Sequence, residues 1–141
     1  MNKQALQAHF EQALAKSEPG FGKSFLVRFY GLEIDYIDDR CRVTLPVRDH
    51  TLNTIGKLHG GVLATALDVS MGHLIHHVTG KGGSTVEMKI QYLRPADSGR
   101  VVCEACFLKQ GRTLAFMESR ATSEDGNLVA VATATWAMPK V

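Results

Sequence analysis

The sequence contains no run of about 20 apolar residues, the length a helix needs to cross a bilayer. A membrane-spanning helix is therefore excluded. Its opening stretch, MNKQALQAHFEQALAK, lacks the apolar segment of a secretion signal, so the expected compartment is the cytoplasm. No excess of one charge is present either: 16 Lys and Arg face 14 Asp and Glu, a net charge of +2 spread along the chain. Without a concentrated basic stripe, nucleic acid is not an expected partner. Cysteine is scarce, and the three present (Cys41, Cys103, Cys106) are odd in number, which argues for reduced thiols rather than a disulfide framework.

Motifs that would carry metal, redox or phosphate chemistry are incomplete. Cys103 and Cys106 have CxxC spacing but lie in a strand-like run, where residues three apart point to opposite faces. His73, His76 and His77 share a helical face, yet no glutamate completes an HExxH pair. In TGKGGST the lysine is not followed directly by Ser or Thr, and the segment follows a helix rather than a strand, so it is no phosphate loop. No metal or bound cofactor is expected.

What is present suits one globular domain spanning 1–141, with 45% hydrophobic residues to build a core. Ala5, Leu6, Phe10, Ala13 and Leu14 fall near helical spacing, and Pro19-Gly20 stops that opening helix. Residues 24–47 read as an antiparallel strand pair broken at Asp38-Asp39, and 48–58 as a polar loop. From Gly60 to Val78 the apolar residues cover most of a helix circumference, which predicts a buried central helix. Four strand-like runs follow, at 84–93, 100–109, 112–123 and 128–138, separated by turn residues. The expected class is α+β, one antiparallel sheet wrapped around one long helix, with an N-terminal helix outside.

Between Lys57 and Lys81 the only formal charge is Asp68, in VLATALDVSMG. A lone carboxylate in an apolar helix needs a partner or a function. Ser70 or Thr65 could satisfy it structurally. Alternatively it serves as a base, since a carboxylate taken out of water binds protons more avidly. His59-Gly60-Gly61 opens the same helix, where free N–H groups and the absence of side chains would let a carbonyl oxygen approach. Such donors could form an oxyanion hole. Gly60 and Asp68 are eight residues apart, about 12 Å along a helix axis. One substrate carbonyl cannot meet both within one chain, but an antiparallel copy of the helix from a second subunit would unite them. A two-fold dimer with composite sites follows.

These segments resemble the hotdog-fold thioesterases of the 4-hydroxybenzoyl-CoA thioesterase superfamily, in their phenylacetate-pathway type. The resemblance runs from Asn53 through LHGGVLATALDVSMG, STVEMKIQYLRPA and LKQGRTLAF to AVATATWAM. It implies hydrolysis of an acyl-CoA, with coenzyme A entering only as part of the substrate. It also implies Asp68 as base or nucleophile, Gly60 as the donor to the thioester carbonyl, Asn53 assisting there, and His59 near the leaving thiolate. Thr85 matches the hydroxyl that helps Asp68 hold water, although Ser84 is adjacent. Strict alternation would put Thr85 on the face of Glu87 and Lys89, and Ser84 on that of Val86 and Met88. Gly61, Lys89, Arg94 and Arg112 are the expected contacts of coenzyme A. A homotetramer built as a dimer of dimers is implied as well. Met71, Leu74, Phe21, Phe25, Phe29 and Tyr30 are candidates for an acyl pocket, with medium- to long-chain fatty acyl and aryl groups both open. A non-catalytic acyl-CoA or fatty-acid binding module and an enoyl-CoA hydratase or dehydratase are the alternatives on such a fold.

Overall fold

The computed structural model describes residues 1–140. The N-terminal helix α1 (Lys3–Lys16) starts at Asn2, whose side chain accepts the Ala5 N–H at 3.0 Å, and buries only Ala13. It docks through aromatic edges, with Phe10 against Phe25 and Phe29, and through His9, whose Nε2 lies 2.7 Å from the Phe29 carbonyl oxygen.

The next segment departs from expectation. Residues 25–29 form a short helix, α2 (Phe25–Phe29), where the sequence pattern predicts a strand. The run FLVRF is apolar enough for either state, and its length alone cannot decide. Helical spacing wins because it stacks Phe25 on Phe29, with ring centroids 5.5 Å apart, and presents both to α1. The anticipated strand pair is therefore shorter, β1 (Glu33–Ile37) and β2 (Arg40–Pro46). They join at a tight turn where Asp38 adopts φ 56°, a conformation that Asp tolerates better than most residues.

A short 3-10 turn (Asp49–Thr51) and a loop lead to the central helix α3 (Gly60–Thr79), ended by Gly80 at φ 74°. Then come β3 (Ser84–Tyr92), β4 (Arg100–Gln110), β5 (Leu114–Ser123) and β6 (Leu128–Ala137). All six strands form one antiparallel sheet in the order β1-β2-β4-β5-β6-β3, so β1 and β3 are its edges. The sheet curls around α3 in the hotdog arrangement.

Its concave face carries Val43, Leu45, Val101, Cys103, Met117, Ala132 and Trp136 against Leu67, Met71, Leu74 and Ile75 of the helix. Alanines at 105, 115, 121, 130, 132 and 134 keep that face low, which lets the helix lie close to the strands. One buried polar pair crosses the gap, Ser70 Oγ to Ser119 Oγ at 2.7 Å. Cys41 and Cys103 are fully buried, and burial pushes both thiols up to about 12, so they act as small apolar residues.

The central helix is not buried all round as its composition suggests. Thr65, Asp68 and Val69 are only half-covered, and Val78 is exposed. This uncovered flank lies beside the edge strand β3, which it meets at Thr85. Among the described residues no helix is long and apolar enough to cross a membrane.

Candidate active site

The start of α3 is built by its own cap. His59 Nδ1 accepts the Gly61 N–H at 3.0 Å, which leaves Nε2 as the ring nitrogen that can donate. Gly61 therefore spends its amide locally. The Gly60 N–H has no acceptor among the described residues and remains at the positive end of a 20-residue helix.

Tyr92, which the sequence reading did not single out, holds Gly60 from the other side. Its hydroxyl donates to the Gly60 carbonyl oxygen at 2.6 Å, and a Cβ on Gly60 would sit 3.3 Å from that hydroxyl and from Cζ. The tyrosine ring packs directly on the backbone, so a side chain at residue 60 would press against it. The only trace in the sequence was its position inside QYLRPA.

Asn53 is fixed as well. Its Oδ1 accepts the N–H groups of Ile55 and Lys57 at 3.1 and 3.0 Å, which leaves its Nδ2 as the group available to a ligand. Asn53, Gly60, Tyr92 and Arg94 line one cleft of about 330 Å3. Arg94 reaches Asn127 Oδ1 at 3.4 Å, while the nearby Lys57 is tied to Asp97 at 2.7 Å.

Asp68 lies in a different cleft, of about 390 Å3, with Phe21, Val27, Val69, Gly72 and Trp136. Its Oδ1 accepts a hydrogen bond of 2.7 Å from Thr85 Oγ1. Neither Ser70 nor Thr65 serves it: Ser70 bonds to Leu67 and Ser119, and Thr65 to the Gly61 carbonyl.

The Thr85 contact depends on an irregularity that strict alternation misses. In the pairing of β3 with β6, Thr85 faces Trp136 and Glu87 faces Thr135, so Val86 is an extra residue in a β-bulge. The bulge reverses the parity. Thr85 joins Met88 and Ile90 on the helix-facing side, while Glu87 turns outward to accept from Thr135 Oγ1 at 3.0 Å. The expectation that Thr85 shares a face with Glu87 and Lys89 is corrected accordingly, and it is Thr85 rather than Ser84 that bonds to Asp68.

Trp136 forms the cleft floor. It fits because residue 72 is glycine: a Cβ there would stand 2.9 Å from Trp136 Cη2. Its Nε1 is buried with no partner among the described residues.

Other expected residues are not gathered here. Lys89 projects from the outer face of β3 opposite Thr133, and Arg112 sits exposed in the β4–β5 turn; neither lines these two clefts. Of the acyl-pocket candidates, Met71 and Leu74 are fully buried core, and Phe25, Phe29 and Tyr30 belong to α2 and its end, away from Asp68. Phe21 alone lines the Asp68 cleft. The three histidines of α3 border one other cleft and are held by aromatic partners: His73 Nδ1 meets Tyr36 Oη at 3.3 Å, His76 stacks on Phe21 and His77 on Tyr36. Among the described residues no three His, Cys, Asp or Glu side chains are placed to share a metal ion.

The chain matches the family model described as the thioesterase superfamily over residues 55–130, more than half its length. It is 40% identical over 89 residues to acyl-coenzyme A thioesterase 13 of Homo sapiens, a match covering 61% of this chain and 64% of that protein. The chain thus spans less than two thirds of that relative. Among solved structures, a conserved protein from Pseudomonas aeruginosa is 30% identical with a TM-score of 0.75, covering 89% of this chain and 98% of that one. A Bacillus halodurans protein solved with CoA shares the fold at a TM-score of 0.87 and 23% identity, covering 100% of this chain and 97% of its own.

Proposed function

The chain belongs to the thioesterase superfamily, and from that premise we propose that it hydrolyses acyl-CoA thioesters in composite sites shared by two copies. One observation carries this reading: a free helix-start amide and a hydroxyl-bonded carboxylate lie on one helix, in two separate clefts. Each cleft holds half of a hydrolytic site. Pairing two copies across the uncovered flank of α3 and the free edge of β3, in antiparallel sense, would bring Gly60 of one to Asp68 of the other. The same contact would cover Asp68 and exclude bulk water from it.

In this site the Gly60 N–H and Asn53 Nδ2 polarise the thioester carbonyl. Asp68 of the second copy takes a proton from water as the water oxygen bonds to the carbonyl carbon, or it attacks that carbon directly to give, once the thiolate has left, an anhydride that water then hydrolyses to the free acid and the restored carboxylate. Thr85 holds Asp68 by one oxygen and leaves the other free. Negative charge gathers on the carbonyl oxygen at the amide, where one placed donor is worth roughly 10²- to 10³-fold in rate. The carbon–sulfur bond then breaks, and coenzyme A departs as a thiolate beside the His59 Nε2–H. Gly61 shapes the approach, and Arg94 at the rim suits the phosphates of coenzyme A. Lys89 and Arg112 could meet those phosphates only where a second copy carries them to the cleft mouth. These residues need no resident metal or cofactor.

The acyl group is medium- to long-chain fatty acyl or aryl-acyl, matched to the apolar walls at Phe21, Val27 and Trp136. The compartment that goes with this reading is the cytoplasm, and the role is in fatty acid metabolism. Exposed Leu108, Leu114 and Phe116 on β4 and β5 offer a second surface on which dimers could join as a homotetramer.

Release of free coenzyme A thiol from acyl-CoAs, acetyl through palmitoyl plus phenylacetyl and 4-hydroxybenzoyl, tests the proposal. Turnover of at least one medium, long or aryl member is expected. A folded, oligomeric protein that releases no thiol, or that hydrates enoyl-CoA without releasing any, would overturn it.

A further inference from the structure

The Asp68 cleft has a second neighbour. On the far side of Phe21, Gly22 and His73 lies a larger cleft of about 790 Å3, and these three residues border both spaces. Beyond them the walls turn partly polar, with Tyr36, His76 and His77. Phe21 and His73 thus stand where the largely apolar cleft that holds the carboxylate meets a more polar one.

Phe21 is 44% exposed, too open to serve as core. Its ring is nonetheless held in place. It stacks on His76 with centroids 3.9 Å apart and planes 15° from parallel, and meets His73 edge-on at 5.2 Å. Its Cζ stands 2.9 Å from where a Cβ on Gly82 would be, so a side chain at residue 82 would push the ring aside. The backbone carrying it lies between Gly20 at φ 126° and Gly22 at φ 76°, both in the region that favours glycine. Nothing lies within 4 Å of a Cβ on Gly20, which leaves that end of the loop unpacked. An aromatic ring between two glycines, standing where two clefts meet, has the form of an adjustable stop.

We propose that Phe21 is the end stop of the acyl channel and sets the longest acyl chain the Asp68 cleft accepts. The inference rests on the acyl-CoA reading above. On that reading the carboxylate sets where the thioester carbonyl sits, and an acyl chain leaving it runs along a cleft lined by Val69, Gly72, Trp136 and the Phe21 ring. A chain long enough to reach the ring must displace it from His76 or stop short. As a stop at the end of the acyl group, Phe21 acts on selectivity between chain lengths.

The test compares kcat/KM for palmitoyl-CoA and octanoyl-CoA in wild type, Phe21→Ala and Phe21→Trp. Each additional buried methylene is worth roughly fourfold. Removing the ring should therefore raise the palmitoyl-to-octanoyl ratio at least roughly tenfold, and the larger indole should lower it. A purely structural plug would lower both rates together and leave the ratio alone. Ratios within about twofold of wild type in both variants, with wild type active, would overturn the end stop and leave the hydrolase reading standing. Affinities for non-hydrolysable thioether analogues of the same two acyl-CoAs separate the reverse case. A shifted affinity ratio without thiol release by wild type would keep the end stop and sink hydrolysis. Absence of both binding and release would overturn both.

Discussion

Asp68→Asn is expected to lower acyl-CoA turnover by about 10²- to 10⁴-fold while leaving the protein folded, the range a lost general base produces. The substitution keeps the size of the side chain and keeps an oxygen to accept from Thr85, at 2.7 Å in the native pair. It removes only the basicity or nucleophilicity of the group. Asp68 lies on the half-covered flank of α3 rather than in the core, so little packing changes. Steady-state kinetics beside a thermal melt decide the matter. The expected pattern is a collapsed kcat with an unchanged melting midpoint. Near-normal kcat would show that Asp68 is a satisfied structural carboxylate and no participant in the chemistry.

Gly72→Val has the largest expected effect on stability, a loss of about 1 to 3 kcal/mol from overpacking. Even the first added carbon would stand 2.9 Å from Trp136 Cη2 and 3.3 Å from Cζ3. The indole, only 4% exposed and locked between helix and sheet, has little room to withdraw. Valine's helix propensity exceeds that of glycine by only a few tenths of a kcal/mol, too little to offset the clash. The melting midpoint should fall by roughly 4 to 10 °C for a chain of this size. Because Trp136 floors the Asp68 cleft, KM for acyl-CoA should rise in the same variant. A midpoint within about a degree of wild type would mean that the indole yields freely and that glycine 72 serves no packing purpose.

Much of this architecture is legible in the sequence because it follows from patterning. The central helix, its unusual single charge and the glycine pair at its start are visible in LHGGVLATALDVSMG, and the four later strands are set off by turn residues. The separation of Gly60 and Asp68 is also visible, since it depends only on helical rise. Three features are not. FLVRF is too short for periodicity to distinguish helix from strand, and aromatic contacts to α1 decide it. The bulge at Val86 has no glycine or proline to announce it, yet it alone turns Thr85 toward Asp68. Tyr92 and Trp136 acquire their places through contacts with Gly60 and Gly72, and such long-range pairs leave no local signature.

The composite site is the central claim, and subunit complementation tests it most directly. Asp68→Asn disables the carboxylate half. Gly60→Val disables the amide half by driving a branched side chain into Tyr92, whose hydroxyl lies 3.3 Å from the first added carbon. Each variant alone should be nearly inactive. When equal amounts are refolded together, mixed pairs contain one site with both halves intact, so about a quarter of wild-type activity should return. Activity in the mixture no greater than that of the two variants measured separately would contradict a site shared between copies.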